Sequence, residues 1–370
     1  MILHFLTDDK FSEYVVKQFR YLEVASEFVL ITETDEKPKF FLEYEGVQVV
    51  NPNSDSFTKI VEGLSKYKAI ILHGLFWPWE EFVLRRVPKT VKVAWVFWGG
   101  EIYGRKDLQM SFLAPRTCSL MRWQALKRLV KQRRQPKNLY EFPNELFQRI
   151  DYCLTDISDE FLFASEYVNN KMKYLWYNYY SIEDTLGDAM NLTINGDNIL
   201  IGNSSAVECN HLDVFSILRK VSIDRRIIVP LSYGESWIKT KIIKKGYSYF
   251  NDVFYPVTAF LPRGEYNKII SSCSVVIMNH YRPQALGNII TALWLGARVY
   301  MSEKSMQYTY FKNIELILFS IEKDLLKDLK SDVGRLSKDC IIHNRQVLMS
   351  IYGRQASMSR INELVKELDS

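Results

Sequence analysis

The sequence predicts an α/β protein made of two Rossmann-like domains whose parallel sheets face each other across a cleft. Three observations carry this. Short apolar runs recur, several ending at glycine and followed by helical spacing, as strands buried on both faces of a parallel sheet should look. The pattern starts afresh after a polar, glycine-containing stretch at residues 184–197. The length, 370 residues, suits two domains that each have a core.

In the first half, strands are expected at residues 2–6, 28–31, 47–50, 68–73 and 91–98, with helices at 11–19 and 57–67. In the second half, strands are expected at 198–202, 226–229 (closed by Pro230), 274–278 and 298–301. Helical spacing there covers 266–271 and 284–295, the latter ended by Gly296. Strand, helix, glycine and strand make a βαβ unit. Residues 346–368 have helical periodicity and suit a helix packing back across the interface. The expected division is therefore 1–185 for an N-terminal Rossmann-like domain, 186–345 for a C-terminal Rossmann-like domain and 346–370 for the terminal helix.

Composition sets limits on function. Apolar residues at 47% and charged residues at 25% are the mix of a folded globular chain. A net charge of +5 is too mild to point to nucleic acid. Cys118, Cys153, Cys209, Cys273 and Cys340 are scattered without a C-x-x-C pair, so free thiols in a reducing compartment are expected rather than a disulfide framework or structural zinc. The apolar start breaks at Thr7 to Lys10, unlike a signal peptide, and no apolar run approaches the roughly 20 residues of a spanning helix. The expected location is cytoplasmic, unless the protein rests on a membrane surface.

Four segments can carry chemistry. Gly202-Asn203-Ser204-Ser205 follows a strand and precedes a helix expected near Asn210-His211, which suits a diphosphate. The same residues also suit a capped turn. His280 to Asn288 enters the next helix. Arg282 offers a guanidinium fork, and Gly287 and Asn288 lie in a first turn whose N–H groups attract anions. Its bland reading is an ordinary helix start. Trp98-Gly99-Gly100-Glu101 places a carboxylate beyond a strand end, and His73 before Gly74 places an imidazole there. Either is a possible general base, Glu101 first and His73 second, and either can be structural. Finally, residues 116–137 hold eight basic residues and no acidic one, interleaved with apolar ones. Arg122, Trp123, Lys127, Arg128, Lys131 and Arg134 read as a basic amphipathic membrane-surface helix, or as a solvated face over a core stripe. There is no D-x-D, no G-x-G-x-x-G, no phosphate-loop lysine motif and no metal-ligand spacing, so neither a metal nor a cofactor is expected.

Two α/β halves with a cleft are shared by GT-B transferases, some sugar-nucleotide epimerases and two-lobed binding proteins, and the fold does not choose among them. The epimerase would not need the basic helix, and the binding protein would not need two anion-binding helix starts. The sequence resembles the bacterial TDP-N-acetylfucosamine:lipid II N-acetylfucosaminyltransferases (4-acetamido-4,6-dideoxygalactose transferases). The likeness is carried by His73-Gly74, by Trp98 to Tyr103, by Ile201 to Ser204 with His211 downstream, by the strand end at Val229 to Tyr233, and by Arg282 to Gly287. It departs from that family at Glu101, where aspartate is expected, and after Ser204. The resemblance implies a GT-B hexosyltransferase with a dTDP-linked deoxyamino sugar as donor and a polyprenyl-diphosphate-linked saccharide as acceptor. It implies work in surface polysaccharide synthesis, such as enterobacterial common antigen or O-antigen, at the cytoplasmic face of the inner membrane. It also adds His211, Tyr233 and Gln284 to the donor-binding set.

Overall fold

A computed structural model describes residues 1–33, 38, 45–130, 140–331, 333 and 335–370, with side chains described outside 128–130. The chain forms two compact units. The first comprises Met1–Arg105, Lys137–Ser181 and Arg354–Ser370, and the second Lys106–Pro136 and Ile182–Gly353.

The first unit holds strands β1 (Ile2–Thr7), β2 (Ser26–Ile31), β3 (Val47–Val50), β4 (Ala69–Leu72), β5 (Lys92–Val96), β6 (Tyr152–Thr155) and β7 (Lys173–Trp176). They lie in the order β3-β2-β1-β4-β5-β6-β7 with parallel pairings throughout. The second unit holds β8 (Asn198–Ile201), β9 (Ile227–Pro230), β10 (Phe254–Val257), β11 (Cys273–Met278), β12 (Arg298–Met301) and β13 (Phe319–Ser320). Their order is β10-β9-β8-β11-β12-β13, again parallel. Among the helices are α1 (Ser12–Tyr21), α2 (Pro115–Val130), α3 (His211–Leu218), α4 (Ser236–Phe250), α5 (Leu286–Leu295), α6 (Lys338–Tyr352) and α7 (Arg354–Asp369).

The sheets form because their strands are apolar on both faces. β4, β6, β9 and β11 are buried along their whole length. In the first unit, Val15, Val16 and Phe19 of α1 and Ile361, Leu364 and Leu368 of α7 close on Ile2, Leu6, Ile71 and Leu154. In the second, Val214, Phe215 and Leu218 of α3 and Ile238 and Ile242 of α4 close on Ile199, Val229 and Ile277. Each such fully buried side chain contributes about 1.5–3 kcal/mol of transfer free energy.

Besides strands and helices that the sequence pattern did not show, the structure departs from the sequence reading at three places. Residues 184–197, expected as a linker, are largely folded: a helical turn at Ile182–Leu186 runs into a 3-10 turn at Gly187–Asn191. Trp294 Nε1 holds that segment by donating to the Met190 carbonyl at 3.1 Å. The terminal helix is two helices, α6 and α7, parted by an extended Gly353 and belonging to different units. The basic helix α2 groups with the second unit rather than with the first half of the chain. Leu120 packs on that unit's core, and Asp213 of α3 caps the α2 start, accepting from Arg116 N at 2.8 Å, Thr117 N at 3.0 Å and Thr117 Oγ1 at 2.7 Å. Among the described residues, no helix is long and apolar enough to cross a membrane.

Candidate functional site

Open parallel sheets bind ligands beyond the carboxyl ends of their strands, where strand order reverses. In the second unit that point lies between β8 and β11. The loop after β8 starts at Gly202, which has φ +65° and donates its N–H to Ile277 O at 2.9 Å. A Cβ at Gly202 would stand 2.7 Å from His211 Nε2, so glycine is what allows the imidazole to lie there. Asn203 Nδ2 donates to Tyr233 Oη at 2.8 Å, and Ser204 Oγ turns inward to accept from Ala206 N at 3.2 Å.

One residue draws this loop together with the loop after β11. The buried Cys209 thiol donates to Asn203 Oδ1 at 3.3 Å, lies 3.6 Å from Ser204 Oγ, and accepts from Gln284 Nε2 at 3.6 Å. Asn210, in the left-handed region at φ 51°, starts α3 and donates through Nδ2 to the Asn279 carbonyl at 2.8 Å. Gly202, Asn203, Ser204, His211, Tyr233 and Gln284 are thus parts of one linked cluster. Scattered cysteines gave no sequence signal for Cys209 beyond its place two residues before His211.

The charges there are few. Arg282 Nη2 meets Glu208 Oε1 at 3.5 Å, both side chains being mostly buried. His280 is fully buried with neither ring nitrogen hydrogen-bonded, and His211 Nε2 also has no partner. Burial pushes both imidazoles down to about 3, and the nearby Arg282 and His211 push His280 further the same way. Both are uncharged at neutral pH. Helix α5 begins after Ala285, another left-handed residue at φ 59°. Its first hydrogen bonds are Asn288 N to Ala285 O at 2.9 Å and Ile289 N to the same oxygen at 3.0 Å, which leaves the Leu286 and Gly287 amides ahead of the ladder.

In the first unit the reversal falls between β1 and β4, and His73 directly follows β4. Both its ring nitrogens are engaged. Nε2 lies 3.3 Å from His4 Nδ1, and Nδ1 lies 3.1 Å from Tyr179 Oη, which also accepts from Trp98 Nε1 at 2.7 Å. Burial holds His73 at about 3, so it too is uncharged. Glu101 lies after β5, beyond Gly99 at φ +88°. Its Oε1 accepts from Trp95 Nε1 at 3.2 Å and Trp98 N at 3.3 Å, while Oε2 has no partner. Burial raises this carboxyl to about 7, against the pull of those donors. A second buried carboxyl, Glu80, accepts from Trp77 N at 2.7 Å, leaves Oε1 unpartnered, and is raised well above the usual range by burial and by Glu101. Sequence reasoning missed Glu80 and Tyr179, since neither sits in a recognisable motif.

On α2, Arg122, Trp123, Leu126 and Lys127 are exposed. Lys127 Nζ lies 3.4 Å from the Trp123 ring centre, and Lys241 of α4 lies 5.4 Å from it. The α4 lysine therefore extends the basic surface. The backbone at Arg128 continues the helix, while Lys131 and Arg134 fall outside the described residues. Among the described residues, no group of three or more His, Cys, Asp or Glu could hold a metal ion.

No protein-family model and no curated protein sequence matches the chain. Solved structures do match it in fold. A glycosyltransferase from Rickettsia africae shares 13% identity with a TM-score of 0.67, over 100% of this chain and 98% of that one. Anabaena Alr3699/HepE, solved with UDP and glucose, shares 10% with a TM-score of 0.59, over 100% and 99%. The lipopolysaccharide outer core galactosyltransferase WaaB shares 10% with a TM-score of 0.64, over 99% of both chains. The chain has the GT-B fold of these proteins.

Proposed function

We propose that the protein is a glycosyltransferase which takes a sugar from a nucleotide-sugar and joins it to an acceptor hydroxyl. The observation that carries this is the second unit's strand-order reversal, where Arg282 and the starts of α3 and α5 supply positive charge and amide donors of the kind a diphosphate needs. Gly202, Asn203, Ser204, His211, Tyr233, Gln284, Gly287 and Asn288 make up the donor side. Proteins of this fold include one solved with UDP-glucose, which supports a nucleotide-sugar here.

In the reaction, the acceptor oxygen attacks the anomeric carbon, the bond to the diphosphate breaks, and the nucleoside diphosphate leaves. Arg282 and the helix-start amides stabilise the charge on the leaving group. Glu101 is the base: its carboxyl, raised to about 7, is half ionised near neutrality, and Oε2 takes no part in the bonds from Trp95 and Trp98 that hold Oε1. His73 is the weaker choice, because both its nitrogens are taken and burial suppresses its basicity.

The finer reading rests on the family resemblance. The donor is a dTDP-linked deoxyamino sugar, the acceptor a polyprenyl-diphosphate-linked saccharide, and the site of work the cytoplasmic face of the inner membrane. The exposed Arg122, Trp123 and Lys127, joined by Lys241, support contact with anionic lipid, to which each nearby basic residue contributes about 1 kcal/mol. Thermal unfolding with a panel of dTDP-, UDP- and GDP-sugars tests the donor, because a bound ligand raises the melting temperature by mass action. A dTDP-specific rise is expected. A rise with UDP- or GDP-sugars alone removes the dTDP assignment, and no rise with any removes the donor site.

A further inference from the structure

Arg282 already has an anion beside it. Its Nη2 lies 3.5 Å from Glu208 Oε1, with the two side chains 19% and 27% exposed. At that distance the contact is a long one to a single oxygen. A bidentate guanidinium pair is closer, about 2.7–2.9 Å, and stronger. The pair is nonetheless built into the fold. Asn210 Nδ2 donates to the Glu208 carbonyl at 3.0 Å and to the Asn279 carbonyl at 2.8 Å, so one amide ties the acid's turn to the loop that carries the arginine. Asp213 is committed to the α2 start, His211 and His280 are uncharged, and the Cys209 thiol is pushed up by burial and so stays protonated.

We propose that Glu208 is an internal counter-anion that reclaims Arg282 from the departing nucleoside diphosphate and so speeds product release. The inference rests on the donor-site reading above. A sugar-linked diphosphate, fork-bonded and multiply charged, outcompetes the distant carboxylate. Transfer then frees the terminal phosphate, so the product carries more charge than the donor and would hold Arg282 harder. A carboxylate poised beside the guanidinium lowers the affinity for that product and returns the site to its resting pair.

The test is calorimetric titration of inorganic pyrophosphate and of dTDP into the wild type, Glu208→Gln, Glu208→Ala, Arg282→Ala and the Glu208→Gln/Arg282→Ala double variant, with melting temperatures as the fold control. Both Glu208 variants are expected to bind the probes about tenfold more tightly, a change of about 1.4 kcal/mol. The gain should vanish in the Arg282→Ala background, since residues that share a partner act non-additively. If Arg282→Ala loses binding while the folded Glu208 variants bind like the wild type or more weakly, Glu208 merely orients the arginine. The proposal is then overturned and the donor site stands. If neither probe binds the wild type or any variant, the donor-site reading falls and takes this inference with it.

Discussion

Replacing Glu101 by glutamine should make the protein more stable and far less active. The carboxyl is raised by burial from the usual 4.5 to about 7. Below pH 4.5 it is protonated in both the folded and unfolded chain and contributes nothing to the pH dependence. As pH rises from 4.5 to about 7, the unfolded chain ionises and the folded one resists, so stability falls. At about 1.36 kcal/mol per pH unit, the loss is roughly 3 kcal/mol and is complete above pH 7. Glutamine can keep the bonds from Trp95 Nε1 and Trp98 N through its carbonyl and carries no charge to desolvate. Denaturant unfolding at pH 8 and pH 4 should show Glu101→Gln more stable than wild type by roughly this amount at pH 8, and nearly equal at pH 4. Transfer should fall about 10²–10⁴-fold, the usual contribution of a positioned base. A variant with wild-type turnover refutes the catalytic assignment. A stability difference that does not grow with pH refutes the buried-carboxyl argument.

Arg282→Ala should weaken binding of a nucleoside diphosphate by about 2–5 kcal/mol in calorimetric titration, as expected for the loss of one partner of a desolvated charge pair. Asp213→Ala uncaps α2 and should lower unfolding free energy by about 0.5–2 kcal/mol in denaturant titration. Gly202→Ala puts a Cβ against His211 at a left-handed φ, and should lower both the melting temperature and nucleotide affinity. The wild type should float with anionic liposomes but not neutral ones, with binding falling as salt screens charge beyond about 10 Å at 0.1 M. Reversing Arg122, Lys127 and Lys241 to glutamate should abolish flotation.

The strands nearest the site were legible because burial on both faces writes them as apolar runs, as in Ala69–Leu72 of β4 and residues 275–278 of β11. Edge strand β7, Lys173-Tyr174-Leu175-Trp176, is only partly buried and has no such signature. Helix α4 was hidden by its lysines and by Gly246. That glycine is packed against the Phe254 ring, where a Cβ would collide. The start of α5 was readable to within two residues. Its stop at Gly296 was readable because that residue takes φ +94°. Of the site, sequence pattern gave the loops but not their wiring. Glu208 and Cys209 join Arg282, Asn203 and Gln284 only through tertiary contact. Likewise, the linked rings of His4, His73, Trp98 and Tyr179 come from within β1 and from beyond the ends of β4, β5 and β7.

Glycosyl transfer is tested most directly by following the sugar itself. The protein would be incubated with sugar-labelled dTDP-, UDP- and GDP-donors, with and without polyprenyl-diphosphate-linked saccharides, in the presence of EDTA. Label from a dTDP-sugar should move into the lipid fraction with an equal release of dTDP, only when acceptor is present, and not with Arg282→Ala. Label that stays on the nucleotide with every donor and acceptor, whether as the original sugar or as its epimer, would contradict it.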